Sequence, residues 1–297
     1  MSSRRKLLLG VGGFYLFSII AVIAIFGAKR QDNPAFKPQN EFKLNNWVDL
    51  GIFSINKAVL YVFAAAILTV WTMTYISKRM QERPNRVQTA VELLFTTMRD
   101  NITKGNMSDE MAAKWFPFIG ALFLFIWFSN LIGYIPLPTN SEETFKLFGA
   151  DIPAFAIYAA TANVSVPLVL ALVVFIAYNV EGVRAKGFVG YLKALVPTGV
   201  TGGMAVFIFI LEFVSNFMRL ISLSVRLFAN ILAGHLIILF MSGGLAVLLG
   251  LEVLGVFTLP AGIILFLFEV GLVATLQAFI FATLSAIYLG GAVAADH

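Results

Sequence analysis

The feature of this sequence that most constrains its fold is a series of long apolar runs. Six such runs cover residues 7–28, 55–76, 116–135, 155–180, 204–241 and 252–288. The first four are close to the roughly 20 residues that a helix needs to cross a bilayer, and the last two are far longer. The chain is therefore predicted to be an all-α polytopic membrane protein, with about five core membrane helices and an extra N-terminal hydrophobic segment.

Composition excludes the main classes of soluble protein. Hydrophobic residues make up 59% of the chain and charged residues 12%, against about 25% charged in an ordinary soluble domain. The chain has no Cys and two His, so neither a disulfide scaffold nor a metal site is predicted. No P-loop, zinc-finger spacing or basic-aromatic array is present, and the net charge of +5 is assigned to loops rather than to nucleic-acid binding.

The chain is predicted to consist of three parts, which are an N-terminal hydrophobic segment, a polar loop and a membrane domain. Residues 1–28 contain Arg4, Arg5 and Lys6 followed by an apolar run of 22 residues. This run is longer than the roughly 7–15 residues of a signal-peptide core, which favours a retained anchor over a cleaved signal. Polar residues 29–54 are predicted to form an extramembrane loop, and residues 55–292 the membrane domain.

Charged residues between the runs predict the orientation of the membrane domain. Basic residues follow the second and fourth runs and predict the inner side of the membrane; they include Lys78, Arg79, Arg83, Arg86, Arg184, Lys186 and Lys193. The loop before the fourth run is acidic, with Glu142, Glu143 and Asp151, and is predicted to lie outside. Apolar residues recur at helical spacing after Pro84, which predicts an amphipathic helix on the inner membrane surface or packed on the protein itself.

The last two runs allow two interpretations. They hold 38 and 37 residues, and each would be about 55 Å long as a single helix. The hydrocarbon core is only about 30 Å thick. Each run is therefore either two spans joined by a tight turn or one long, steeply tilted helix. Composition alone favours the two-span hairpins, because membrane helices tilt by about 20° on average.

Charged and polar residues inside the 204–241 run predict a functional surface, because charges at bilayer depth usually face a partner or water. At 100° per residue, five of them fall within about 40° of one direction; they are Glu212, Arg219, Ser222, Arg226 and Asn230. Glu212 lies about 21 Å from Arg226 along a straight helix, too far for an ion pair. Arg226 therefore needs a carboxylate from another helix or another chain.

Two deep titratable residues predict a proton relay. His235 lies nine residues beyond Arg226 and points to the opposite helix face, and Glu269 lies in the last apolar run. Gln277 follows Glu269 by eight residues, about 80° around a uniform helix. Interhelical hydrogen bonding remains an alternative role for Ser222 and Ser224, and a satisfied buried side chain for His235.

Three motifs resemble those of subunit a of F-type ATP synthases. They are Ile221-Ser-Leu-Ser-Val-Arg226-Leu-Phe-Ala-Asn230-Ile-Leu-Ala-Gly234-His235, Leu276-Gln277-Ala-Phe-Ile-Phe-Ala-Thr-Leu and Thr161-Ala-Asn163-Val. The resemblance covers roughly residues 45–292. It implies that each of the last two runs is one long, steeply tilted helix against a ring of c subunits, which replaces the hairpin interpretation. It also implies that Arg226 faces the carboxylate of a c subunit.

The resemblance further implies a proton-translocating role within the Fo sector of an ATP synthase. Peripheral-stalk b subunits, the F1 catalytic head and the lipid bilayer are the other implied partners. No cofactor and no catalysis by the chain itself are implied. A bacterial inner membrane is the expected location, with the mitochondrial inner membrane second.

The resemblance assigns polar residues to two proton half-channels. The outer half-channel is assigned His235, Glu269, Asn230, Gln277 and Asn163. For the inner half-channel, Glu212, Ser222 and Glu181 are the candidates. One departure is the eight-residue spacing from Glu269 to Gln277, where the family has seven. A uniform helix would turn the carboxylate by about 100° for that extra residue.

Two functions from other classes remain as alternatives. A proton-coupled secondary transporter would also bury Arg, Glu and His, but it should show internal repeats and broken helices. We see no repeat between the two halves of the sequence. A purely structural membrane scaffold would leave the intramembrane charge of Arg226 without a purpose.

Overall fold

The computed structural model describes residues 44, 46–49, 54–79, 86–147, 150–197, 199–241 and 255–294. The predicted N-terminal anchor or signal, residues 1–28, and most of the predicted loop 29–54 lie outside the described residues. The chain divides into two compact units. One unit comprises residues 44–233 with 270–297, and the other residues 1–43 with 234–269.

The described residues are mainly helical, with two short β-hairpins. The helices are α1 (Lys57–Arg79), α2 (Arg86–Thr96), α3 (Asp109–Gly133), α4 (Ser165–Lys186), α5 (Phe188–Lys193), α6 (Gly203–Leu239), α7 (Gly255–Phe268) and α8 (Ala274–Val293). The strands are β1 (Asn46–Asp49), β2 (Ser54–Asn56), β3 (Leu137–Leu147) and β4 (Ala150–Ala156). π-helical segments occupy Thr97–Lys104 and Glu269–Val273, and a 3₁₀ turn occupies Ala160–Ala162.

Five helices of the described chain are long and apolar enough to cross a membrane, which confirms the predicted fold class. In the larger unit, α8 packs against α3 and α4, and α1 packs against α3. Alanines 278, 282 and 286 of α8 are fully buried in this core. Such small side chains let membrane helices approach closely. The opposite sides of the helices carry exposed apolar residues such as Phe63 and Ile67, as expected for surfaces in contact with lipid.

Two predicted spans have different ends in the structure. The span predicted at 116–135 begins earlier, at Asp109, where Asp109 and Glu110 occupy the first turn of α3. Acidic residues there interact favourably with the helix dipole, which hydropathy does not register. The span predicted at 155–180 is helical only from Ser165 to Lys186, because Phe155 and Ala156 belong to β4.

The acidic outer loop contains a β-hairpin that the sequence analysis did not predict. Strands β3 and β4 pair antiparallel, with Phe145 opposite Ile152 and Lys146 opposite Asp151. β1 and β2 form a second small hairpin immediately before α1. The hairpins were not predicted because the strongest pattern in this sequence is its long apolar runs. The short strands between those runs have no comparably strong pattern of apolar residues.

The hairpin interpretation of the last two runs is wrong. α6 is one helix of 37 residues, and Pro260–Val293 forms one apolar helix of 34 residues. A run of apolar residues has the same composition whether it forms two spans joined by a turn or one long helix. Composition could therefore not decide between these two structures. The long helices that the family resemblance implied are confirmed, and their tilt stays a prediction.

The final helix is not uniform, because Glu269–Val273 is π-helical between α7 and α8. A π-helical turn is wider than an α-helical turn and takes up about one extra residue. The rotation of 100° per residue that was assumed between Glu269 and Gln277 therefore does not apply across this turn. Local π-helical turns of this kind occur frequently at functional sites.

Candidate functional site

The polar face of α6 forms one side of the candidate site in the larger unit. α6 is α-helical throughout, which keeps the five predicted residues Glu212, Arg219, Ser222, Arg226 and Asn230 on one face. Ser222 and Asn230 are exposed, and Arg226 between them is half-buried. The face around Arg226 is therefore open on both sides of its guanidinium.

Ion pairs in the described part of this unit join Lys104 to Asp109, at 3.9 Å, and Lys114 to Glu181. Arg226 is in neither pair. The inner-channel candidate Glu181 is buried, and its carboxylate is bound by Lys114 through Oε1. This pairing explains how a carboxylate is tolerated at that depth.

A cavity of about 300 Å³ lies at the end of the larger unit that the basic residues place on the inner side. We call it the inner vestibule. Its polar lining comes from α4, α5 and α6, and consists of Tyr178, Lys186, Tyr191, Glu212, Asn216 and Arg219. The backbone of the last turn of α8 completes the wall at Gly291 and Ala292. Of the predicted inner-channel residues, Glu212 lines this cavity and Ser222 does not.

A hydrogen-bond network joins three helices in the wall of the inner vestibule. The Tyr178 hydroxyl donates to Oδ1 of Asn216 at 2.6 Å, and Nδ2 of Asn216 donates to Oδ1 of Asn179 at 3.0 Å. The Tyr191 hydroxyl donates to the same Asn179 oxygen at 2.8 Å. Nδ2 of Asn179 donates to the Phe175 carbonyl at 2.7 Å. Sequence reasoning missed this network, because asparagines near the end of a span are common and carry no motif.

Arg219 is held in the same wall by an aromatic ring. Its guanidinium lies 5.6 Å from the centre of the Tyr288 ring on α8, a distance at which cation–π attraction operates. Burial raises the pKa of the Tyr191 hydroxyl, and the nearby positive charge of Arg219 opposes that rise. Arg219 therefore places a positive charge in the vestibule wall, beside Tyr191 and Tyr288.

A second polar cluster lies among α3, α8 and the turn before α4. The Thr161 hydroxyl donates to Oδ1 of Asn130 at 2.7 Å, and Nδ2 of Asn130 donates to the Ala274 carbonyl at 3.3 Å. Gln277, one turn further along α8, is also buried. Asn130 was not predicted as a site residue. The sequence could have indicated Asn130, because its amide lies in the middle of an apolar span, where polar side chains are often functional.

Asn163 lies two residues before the start of α4. Its Oδ1 accepts a hydrogen bond from the backbone N–H of Ser165 at 3.0 Å, which is the geometry of an Asx turn. Burial raises the pKa of nearby Tyr158 to about 12, and the polar side chain of Asn163 opposes the rise. The role of Asn163 in a proton pathway stays a prediction.

The smaller unit contains the two predicted titratable residues, His235 and Glu269, and both are buried. The Glu269 carboxylate packs directly on the backbone of Gly234, the neighbour of His235. A Cβ atom built on Gly234 would lie 2.6 Å from the carboxylate carbon of Glu269. Position 234 must therefore lack a side chain if Glu269 is to keep this place.

These features together define a polytopic membrane protein that has half-buried Arg and buried His, Glu and amide groups within its apolar helices, as proteins that transfer ions across the bilayer do. No group of three His, Cys, Asp or Glu suited to a metal ion occurs in the described part of the chain. The family model described as ATP synthase A chain matches residues 59–290. The chain belongs to this family.

Curated relatives support the same assignment. The ATP synthase subunit a of Rubrobacter xylanophilus is 34% identical over 246 residues, covering 82% of this chain and 86% of its own length. The corresponding protein of Rhizobium rhizogenes is 32% identical over 263 residues, covering 86% and 96%. That of Helicobacter pylori is 32% identical over 266 residues, covering 90% and 99%. With five membrane-spanning helices, the chain is a multi-pass protein of the bacterial inner membrane.

Proposed function

We propose that this chain is the proton-translocating stator subunit of the Fo sector of an ATP synthase. In this role it forms two offset half-channels and couples proton flow to rotation of a ring of c subunits. The observation that carries the proposal is Arg226, which lies on the open polar face of a single 37-residue helix. It belongs to neither of the ion pairs found among the described residues of its unit, and a carboxylate on a c subunit would supply a partner.

The chemistry of guanidinium explains why this position would control proton transfer. Arg keeps its charge at every physiological pH, so a carboxylate that passes it is favoured in the ionised form. The carboxylate gives up its proton on one side of Arg226 and regains one on the other side before it returns to lipid. A bare charge in lipid is costly, which makes proton transfer and rotation inseparable.

The other site residues are proposed to connect Arg226 with the two aqueous phases. Access from outside is assigned to His235, Glu269, Asn230, Gln277 and Asn163. Asn130 and Thr161 join this set, because they form a buried polar cluster against the Ala274 turn that precedes Gln277. Access from inside is assigned to Glu212 at the inner vestibule, with Ser222 between the vestibule and Arg226.

Partners of the chain follow from the same proposal. The c ring would contact the open face of α6, where Ser222, Val225 and Asn230 are exposed. Peripheral-stalk b subunits would hold the chain still, and ATP would be made in the F1 head. The chain itself is proposed to be non-catalytic, because its sequence contains no nucleotide-binding motif and no activated nucleophile.

The proposal is tested by Arg226→Ala in the assembled complex, with ATP-driven acidification of inverted membrane vesicles as the measurement. Pumping should be abolished while the F1 head stays attached, and passive proton leak should rise because the barrier between half-channels is gone. Arg184→Ala is the matched control, since it removes an exposed Arg at the end of α4. Intact pumping in Arg226→Ala would refute the proposal.

A further inference from the structure

Two consecutive hydrogen bonds connect α3 to the π-helical turn at Glu269–Val273. The indole N–H of Trp127 on α3 donates to Oγ1 of Thr275 at 3.0 Å. The Thr275 hydroxyl donates in turn to the carbonyl of Gly271, inside the turn, at 3.3 Å. The Trp127 ring is half-buried and stacks on the Phe123 ring, with 6.1 Å between ring centres. Packing in α3 therefore sets the direction of the N–H that begins this pair of bonds.

A third hydrogen bond joins α3 to the same level of α8. Nδ2 of Asn130 donates to the carbonyl of Ala274, the first residue of α8, at 3.3 Å. Asn130 follows Trp127 by three residues, so both side chains project from one face of α3. They contact the consecutive residues Ala274 and Thr275 directly after the turn. These contacts fix the rotation of α8 at this point, and a change in the turn must therefore rotate the residues before it.

The turn determines which face of the helix carries Glu269. Glu269 and Ala274 are five residues apart, which is about 140° around a uniform α-helix. A π-helical turn takes up about one residue, and the four remaining steps leave the two positions only about 40° apart. Both residues are buried, with 8% and 0% of their surfaces exposed, as expected for positions on one face. Without the turn, the Glu269 carboxylate would be rotated by about 100° from this face.

We propose that Trp127 and Thr275 are positioning residues, which hold the π-helical turn and so keep the Glu269 carboxylate on the buried face of the helix. π-helical turns are rare, because α-helical bonding is normally preferred. The turn therefore depends on hydrogen bonds from outside its own backbone. The inference rests on the proposed function, in which Glu269 gives protons access to Arg226 from outside.

The first test is Thr275→Val in the assembled complex, because Val has nearly the shape of Thr but no hydroxyl. ATP-driven acidification of inverted vesicles should fall about ten-fold, since displacing a reacting group by about 1 Å has large effects on rate. Thr275→Ser keeps a hydroxyl and should pump at nearly the wild-type rate. The matched control is Thr283→Val, which removes a bond of the same kind to the Phe279 carbonyl, at 2.8 Å on the same helix. Equal pumping by the two Val variants would overturn the inference.

The response of ATP synthesis to outer pH separates a misplaced carboxylate from a loss of assembled complex. The lumen of inverted vesicles corresponds to the outer side, and synthesis is driven by a fixed membrane potential at varied lumenal pH. Thr275→Val should need a proton concentration about ten-fold higher, or about one pH unit lower, for half-maximal synthesis, to offset its slower proton transfer. Its maximal rate should approach that of the wild type. A lower maximum at an unchanged midpoint would overturn the positioning role.

Deletion of Gly271 tests whether the turn acts by rotation. Gly271 is exposed, and no atom lies within 4 Å of the place of an added Cβ, so its removal breaks no side-chain packing. The shortened segment reaches Ala274 from Glu269 in four steps of an ordinary α-helix, which keeps both on one face. This variant should pump, and adding Thr275→Val to it should cause no further loss. A deletion variant that does not pump, or an equal loss from Thr275→Val in both backgrounds, would overturn the inference.

Arg226→Ala in the same vesicles separates the two proposals. If Arg226→Ala pumps, the proposed function fails. If it does not pump and Thr275→Val behaves as Thr283→Val, only the positioning role fails.

Discussion

Gly234 shows how a single position can determine the placement of a functional group. The Glu269 carboxylate occupies the space that a side chain at 234 would fill. Neither residue reveals this relation in the sequence, because they lie 35 positions apart and on different helices. The family motif contained Gly234 only as the residue before His235. Its physical role became clear from the distance to Glu269.

Gly234→Ala should therefore reduce ATP-driven pumping by roughly ten-fold or more, because displacing a reacting group by about 1 Å has large effects on rate. The measurement is acidification of inverted vesicles, normalised to the amount of attached F1 head. Gly120→Ala is the matched control. It also adds a methyl group to a buried glycine of a membrane helix, but at a site where nothing lies within 4 Å of the new atom.

Normal pumping by Gly234→Ala would mean that Glu269 can move without consequence, and its assignment to the outer half-channel would lose its support. Reduced pumping by both glycine variants would instead indicate a general sensitivity of the helices to added volume. A selective loss in Gly234→Ala supports the placement of Glu269 described above.

The residues that the sequence singled out were those with an unusual energetic cost of burial. A permanently charged Arg in an apolar run demands an explanation, so Arg226 stood out at once. Asn130, Asn179 and Asn216 did not, because an amide that is fully hydrogen-bonded costs little and leaves no pattern. Their importance depends on which partner they meet in the fold, and spacing along one helix contains no such information.

At the scale of elements, α3 and α4 are joined by the ion pair between Lys114 and Glu181. Glu181 is buried, with 8% of its side chain exposed, whereas Lys114 is half-exposed at 54%. Oε2 of Glu181 has no hydrogen-bond partner among the described residues. The buried Glu181 carboxylate therefore depends on Lys114 to offset its charge. In an exposed ion pair, by contrast, water stabilises each charge when its partner is removed.

Lys114→Met should destabilise the folded state by about 1–3 kcal/mol, because it leaves a buried carboxylate unpaired while solvent reaches part of the site. The measurement is the thermal unfolding midpoint of the detergent-purified complex, which should fall by a few degrees. The double variant Lys114→Met/Glu181→Met should recover most of the loss, since no charge then remains buried.

The control for this prediction is Lys104→Met, which breaks the 3.9 Å pair with Asp109, whose side chain is 87% exposed. Exposed pairs contribute little, so this variant should change stability by less than about 1 kcal/mol. A double variant at 114 and 181 that is no more stable than Lys114→Met would show that packing, and not charge, holds α3 and α4 together.

Element boundaries were predictable where hydropathy alone determined them. The span predicted at 55–76 agrees closely with α1, and the existence of every core span was foreseen. The starts of α3 and α4 were not, because α3 begins with two acidic residues that hydropathy does not favour, and a strand occupies the first residues predicted for α4. The π-helical turn at Glu269 could not be foreseen either, since a local change of helix type leaves the apolar pattern intact.

For the molecule as a whole, the orientation in the membrane rests on charge distribution. The acidic residues of the β3–β4 hairpin predict the outer side, and the basic end of α4 predicts the inner side. The sequence contains no Cys, so a single introduced Cys is a unique chemical label. Lys146 and Arg184 are exposed positions on the two sides.

A membrane-impermeant maleimide should label Lys146→Cys from the outside of intact cells and Arg184→Cys only in inverted vesicles. The wild-type protein, which has no thiol, serves as the background control. A permeant maleimide should label both variants in both preparations, which confirms that each Cys is reactive. Labelling of Arg184→Cys from the outside of intact cells would contradict the orientation and the name given to the inner vestibule.

The volume of the inner vestibule has a statistical consequence for how protons pass through it. The vestibule is large enough to hold on the order of tens of water molecules. At neutral pH, so few water molecules include a free hydronium ion for only roughly one part in 10⁷ of the time. The vestibule therefore cannot act as a store of dissolved protons. Under the proposed function, proton transit would depend on a bound site on its wall, and Glu212 is the carboxylate that lines it among the described residues.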